Sequence, residues 1–192
     1  MSVNSGKGKT FTAVKFLKEQ IEENGYILIT NLLSLHKNIP NSIYEVDFLK
    51  IIELVVNQEG DNKYIIFYDE IFTTLEKSGS LRRDFLSFLS QLRKRKILLI
   101  STAQEWLEIN ITFRRYVRFQ VDCNMKSFPF CNLAYCINYV KDGDLLHWDN
   151  LENDYVAPII QTNIFKCNKE IADLYDTMET IGTSGSLLNK TR

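Results

Sequence analysis

Three short runs hold the residues whose types and spacing could do chemistry. The first is Ser5-Gly6-Lys7-Gly8-Lys9-Thr10-Phe11, which sets glycines and lysines just ahead of a helix-patterned stretch. Glycines let successive backbone N–H groups turn inward as an anion-binding nest, and the N-terminus of the following helix adds partial positive charge. A lysine at position 9 would reach the terminal phosphates of a nucleoside triphosphate. A threonine at position 10 would offer its hydroxyl to Mg²⁺. The second run ends in Asp69 and Glu70, directly after the apolar Tyr64 to Tyr68. A carboxylate at the C-terminal end of a buried strand projects into the crevice where α/β sheets bind ligands. Asp69 is placed to hold Mg²⁺ through water, and Glu70 to polarise the water that attacks the γ-phosphate. The third is Gln104, past "ILLISTA", a polar strand tip able to sense that phosphate or hold the water. Each has a plainer reading: a helix-capping turn, two solvated acids, a surface amide. Their order, each on a suitable element, favours the catalytic reading.

The elements that must position these residues follow from hydrophobic periodicity. From Lys9 the chain reads as a helix with Ala13, Val14, Leu17 and Ile21 on one face, stopped at Gly25. "YILIT" (26–30) is a strand, 31–46 with Pro40 is looser, and 47–56 is helical with Asp47 as N-cap. Residues 64–68 suit a strand covered on both faces. Residues 82–96 form a helix with Phe85, Leu89 and Leu92 inward, followed by strands at 97–102 and 116–123. Strands alternating with helices predict an α/β fold with a mostly parallel sheet. Beyond Cys123, "LAYCINYV", "LLHW" and "YVAPII" read as an antiparallel extension. A last helix is expected over 168–180 and a frayed tail over 182–192.

Bulk composition bounds the rest. The 192 residues suit one domain, and 45% hydrophobic residues suffice for a sizeable core. A net charge of −1 argues against coating by nucleic acid, though not against a local basic track. Four cysteines (123, 131, 136, 167) lack zinc spacing and read as free thiols of a reducing compartment. The start is polar, without a signal-peptide pattern, and no apolar run approaches the roughly 20 residues of a membrane span. A soluble intracellular protein is expected.

The runs "NSGKGKT", "YIIFYDEIF", "LLISTAQ", "INITFRRYVRFQV" (109–121) and "IADLYDTMETI" (171–181) resemble the HerA/FtsK superfamily of DNA-pumping P-loop ATPases. Within it, the chain is most similar to the zonular occludens toxin-like assembly ATPases of filamentous phages and to related viral packaging ATPases. The resemblance implies a RecA-like P-loop NTPase fold of the catalytic-glutamate branch, as a single domain over 1–181 with a β-rich extension at 124–165. It implies ATP and Mg²⁺ as cofactors. Ser5, Gly6, Lys7, Gly8, Lys9, Thr10 and Phe11 would hold the nucleotide and Thr10 and Asp69 the metal, with Glu70 and Gln104 catalytic. It implies a homo-oligomeric ring of about five or six subunits, with an arginine supplied in trans, worth roughly 10³–10⁵ in rate. Arg93, Arg95 and Arg115 are the candidates, with Arg82, Arg83, Arg114 and Arg118 as further options. Each is as readily a solvated side chain or a phosphate contact. The expected partners are DNA, held by its backbone with Lys94 and Lys96 contributing, and phage portal, coat or membrane proteins. The location implied is the host-cell cytoplasm.

Two departures stand out. Val3 replaces the first loop glycine, and no apolar strand precedes the loop, so the sequence is expected to lack its N-terminal strand. That defect motivates an alternative: a non-hydrolysing morphogenesis scaffold on the same fold, docking coat or membrane partners. A small-molecule kinase is a weaker option, since neither an arginine-rich lid nor an acceptor pocket is evident. Tyr135, Tyr139, Trp148 and Tyr155 could stack on bases or pack as ordinary strand aromatics.

Overall fold

A computed structural model describes residues 8–57, 61–71, 81–106, 109–128, 133–145, 147–149, 154–176 and 179. Helix α1 (Lys9–Asn24) buries Ala13, Val14 and Leu17, and Gly25 closes it in a left-handed conformation (φ 68°) that costs glycine little. Strand β1 (Ile27–Thr30), helix α2 (Leu33–Asn38) and the two-residue β2 (Ile43–Tyr44) follow. Helix α3 (Phe48–Val56) starts at Asp47, whose carboxylate accepts the Leu49 N–H at 2.9 Å, as expected of an N-cap. Strand β3 (Tyr64–Tyr68), helix α4 (Arg83–Gln91) and strand β4 (Ile97–Ser101) complete a four-stranded parallel sheet of order β2-β1-β3-β4.

All five residues of β3 are buried, which explains its unbroken apolar sequence. Tyr64, Ile66 and Tyr68 face one core with α3 and α4, where Phe48 meets Tyr68 and Phe85 edge-on at 5.2 and 5.4 Å between centroids. Ile65 and Phe67 face the other core with α1 and α2.

After the short helix α5 (Ile111–Arg114), strands β5 (Phe119–Phe128), β6 (Leu133–Asp142) and β9 (Ile159–Lys166) form an antiparallel sheet, and β7 (His147–Asp149) and β8 (Asp154–Val156) a small ribbon. The inner face of the larger sheet packs on α1: Phe11 stacks on Phe165 at 6.3 Å, and the Thr12 hydroxyl donates to Asn138 Oδ1 at 3.2 Å. At the end of β6, a Cβ on Gly143 would stand 1.9 Å from the Val117 carbonyl oxygen, so only glycine fits that crossing.

Four expectations are corrected. Residues 31–46 carry α2 and β2, because Leu35 is buried and Ile43 pairs beside Ile29. The helix expected over 82–96 ends at Gln91: "RKRK" has no apolar face to bury, and the chain turns there, with Lys96 left-handed, to enter β4. The strand expected over 116–123 begins at Phe119, runs to Phe128 and pairs antiparallel with β6, outside the parallel sheet. The helix expected over 168–180 is only α6 (Lys169–Ala172). Beyond it α2 claims the polar groups instead: Asp176 N–H donates to Ser34 Oγ at 2.9 Å, and the Glu179 carboxylate accepts the Leu33 and Ser34 N–H groups at 2.5 and 3.0 Å. The tail 182–192, Cys131 and Val3 lie outside the described residues.

Candidate functional site

The C-terminal ends of β1, β3 and β4 converge on Asp69. Its backbone is clipped on both sides by the Asn31 side chain: Asp69 N–H donates to Asn31 Oδ1 at 2.8 Å, and Asn31 Nδ2 donates to Asp69 O at 3.0 Å. Asn31 itself is 1% exposed, fixed at the end of β1. From β4, the Thr102 hydroxyl donates to Asp69 Oδ1 and accepts the Glu70 N–H at 2.9 Å. From the start of α1, the Thr10 hydroxyl donates to Asp69 Oδ1 at 3.3 Å, across 59 residues of sequence.

Asp69 is only 8% exposed. Burial pushes its pKa above the ordinary carboxylate value, and the neighbouring Glu70 charge adds to the push; bonds from Thr102 and Thr10 and the charge of Lys9 oppose it without cancelling it. A buried, under-compensated carboxylate beside a hydroxyl suits a hard divalent cation, which prefers oxygen ligands. Among the described residues no group of three His, Cys, Asp or Glu side chains could hold a metal alone. Mg²⁺ arriving with a nucleotide would find Thr10 and Asp69 as protein ligands, with water and phosphate oxygens completing its shell.

Glu70 sits in the left-handed region (φ 54°), a conformation a non-glycine residue adopts at a cost. The turn directs its side chain to Gln104, whose Nε2 lies 3.4 Å from Glu70 Oε1. The expected acid and the expected strand-tip amide thus meet. Gly8, also left-handed (φ 78°), caps α1, and Thr12 N–H donates to its carbonyl at 2.9 Å. A Cβ there would lie 2.9 Å from Cys136 Sγ, so the turn abuts the antiparallel sheet.

The structure therefore brings together Lys9, Thr10, Asp69, Glu70 and Gln104. Ser5, Gly6 and Lys7 lie outside the described residues. The Phe11 side chain is buried against Phe165, so contact with a nucleotide there would come from its backbone. Arg93 and Arg95 are not brought to Asp69. They precede β4 at its N-terminal end, and Arg95 is tied to Gln91 Oε1 at 3.0 Å and to the Val56 carbonyl at 3.3 Å. Arg115 is exposed just after α5, while Arg114 is buried over the Trp106 ring. Asn31, Thr102 and Tyr175 were not anticipated at the site. Burial pushes the Tyr175 hydroxyl up to about 12, and the charge of Asp69 acts in the same direction.

The two sheets define the class of fold: mixed α/β, with a parallel four-stranded sheet flanked by helices and a separate antiparallel sheet. It is similar to the crystal structure of the N-terminal domain of zonular occludens toxin from Neisseria meningitidis, with a TM-score of 0.58 and 19% identity over 90% of this chain and 95% of that one. No family model and no curated protein matches the chain.

Proposed function

We propose that this chain is an ATP-hydrolysing motor of phage or viral assembly, moving DNA for packaging or extrusion. The observation that carries the reading is the Thr10–Asp69 hydrogen bond with Glu70 and Gln104 beside it, since these groups come from three separate elements. The shared fold with the zonular occludens toxin domain supports the same class.

Bound ATP with Mg²⁺ supplies the electrophilic terminal phosphoryl group. Lys9 neutralises charge on the phosphates, at the N-terminus of α1 where backbone N–H groups also point. Thr10 and Asp69 would hold the Mg²⁺ that accompanies the nucleotide. Glu70, held toward Gln104, accepts a proton from the attacking water as general base. Gln104 orients that water and reports the presence of the terminal phosphate. In a closed ring of about five or six copies, an arginine from the neighbouring subunit, drawn from Arg93, Arg95 and Arg115, stabilises the transferring group. Basic groups on the ring hold DNA through its phosphates without reading sequence.

The test is nucleotide binding, followed by titration of a fluorescent ATP analogue with Mg²⁺. Lys9→Ala should weaken binding at least about tenfold, the loss of one good charged contact of about 1.4 kcal/mol. Binding unchanged in Lys9→Ala would remove the nucleotide from this site. Absence of binding in the unaltered protein would favour the non-hydrolysing scaffold.

A further inference from the structure

Strand β9 closes one side of the antiparallel sheet, whose order β5-β6-β9 gives it a neighbour on one edge only. One bond fixes which of its peptide groups face outward. Cys167 N–H donates to the Ala134 carbonyl at 2.8 Å, and the β6–β9 register runs on from that pair, with Ile137 opposite Ile164, Asn138 opposite Asn163 and Tyr139 opposite Thr162. Opposed residues of an antiparallel pair alternate between bonded and non-bonded. Gln161, Asn163 and Phe165 therefore turn their peptide groups to β6, and Thr162 and Ile164 turn theirs away from it.

An open edge of this kind is a template for another strand, and proteins blunt such edges with brevity, charge or proline. Strand β2 is only two residues long, and β5 carries Asp122 and Lys126 along its length. Strand β9 has none of these devices: Ile159 to Phe165 contains no charge and no proline. Ile159, Ile160 and Ile164 are 56%, 50% and 66% exposed, and Thr162 is exposed between them.

We propose that β9 pairs antiparallel with β9 of a second copy of this chain, about a two-fold axis at Asn163. The outward groups select both the occupant and the register. Thr162 and Ile164 stand one residue either side of Asn163, so a two-fold axis there sets each opposite the other in the second copy. Thr162 N–H then donates to the partner's Ile164 carbonyl, Ile164 N–H to the partner's Thr162 carbonyl, and the same two bonds form again by symmetry. Three strands from each copy join into one continuous sheet. Lys166 falls opposite the uncharged Ile160 of the partner subunit, so no like charges meet. Ile164 lies beside the partner's Thr162 on the sheet face that also carries Ile137 and Tyr139, which covers part of its exposed side chain. One strand per copy is a small interface, so the association is weak, and its two-fold symmetry stops it at two copies. A ring built through the nucleotide site would use a different, head-to-tail contact, so the β9 pair stands without nucleotide.

Sedimentation velocity without nucleotide, at concentrations from about 1 μM to about 1 mM, should show monomers passing into dimers. Thr162→Pro removes an outward N–H and no bond of its own sheet. It should keep the melting temperature and weaken dimerisation about tenfold or more. Asn163→Cys sets two sulfurs across the axis, at the roughly 4.5 Å Cα spacing of a non-bonded pair, within reach of a disulfide. Oxidised glutathione should join that variant into a covalent dimer. The unaltered protein, with its native cysteines, should stay unjoined. So should Thr162→Cys, whose Cα atoms in this register lie about 8 Å apart by strand geometry, beyond the roughly 7 Å a disulfide spans. If Thr162→Pro melts early, the cysteine variants decide alone. Monomers throughout the concentration range would overturn the proposal and leave the edge to a strand of another protein. Association undiminished in a folded Thr162→Pro, or a covalent dimer of Thr162→Cys in place of Asn163→Cys, would overturn it as well.

Discussion

Asp69 combines two demands on one carboxyl group: it is buried, and the proposed chemistry needs it charged. Its folded-state pKa is raised above the ordinary value of 3.8. The folded protein therefore holds that proton more tightly than the unfolded chain. No penalty exists well below 3.8; stability is lost as pH rises through the raised folded value, and the full cost persists above it. Asp69→Asn should accordingly raise the Tm of the metal-free protein near neutral pH, with the gain vanishing in acid. Mg²⁺ with nucleotide should raise the Tm of the wild type and not of the variant, by binding only the folded state. Thermal melts across pH with and without the ligand check both signs. Glu70 stores a smaller tension in its left-handed backbone. Glu70→Gly should gain about 1 kcal/mol in stability while turnover is lost, read by denaturant unfolding beside a phosphate-release assay.

At the scale of elements, the core on the α3–α4 side depends on Phe48, which is fully buried among Tyr68, Phe85 and Phe88. Phe48→Ala should cost about 3–5 kcal/mol, seen as a lower denaturation midpoint. The chain after α6 acts on α2, whose N-cap residue Leu32 offers no side-chain cap. Glu179 supplies one from far along the sequence, so Glu179→Ala should cost about 1–2 kcal/mol and lower the Tm. These elements also explain how far the sequence could be read. Lys9, Thr10, Asp69 and Glu70 were legible because each stands at the boundary of a strongly patterned local element. Asn31 and Thr102 were not, because their bonds to Asp69 span 38 and 33 residues and depend on β1 and β4 both flanking β3. The helix expected over 168–180 failed for a similar reason: a distant helix competes for its backbone and side-chain polar groups. The parallel sheet was legible in its strands, but the antiparallel role of β5 was not, because pairing direction leaves no local trace.

At the scale of the whole molecule, a net charge of −1 means that the DNA binding proposed for this chain would rest on local clusters. The turn Arg93 to Lys96 is the densest described one, though Arg95 is engaged by Gln91 and Val56, and Lys96 by Asp61. Arg93 and Lys94 are exposed. Replacing both with glutamate should weaken DNA binding evenly across sequences and flatten its dependence on salt, measured by anisotropy titrations at several salt concentrations. Among the described residues no helix is long and apolar enough to cross a membrane. The measurement that bears most directly on the site is single-turnover hydrolysis of ATP with Mg²⁺ by Glu70→Gln, run beside ATP binding by the same protein. Binding should persist, and hydrolysis should fall about 10²–10⁴-fold, the contribution of a positioned general base. Hydrolysis by Glu70→Gln at the wild-type rate would contradict the assignment of Glu70, and with it the catalytic reading of the Asp69 site.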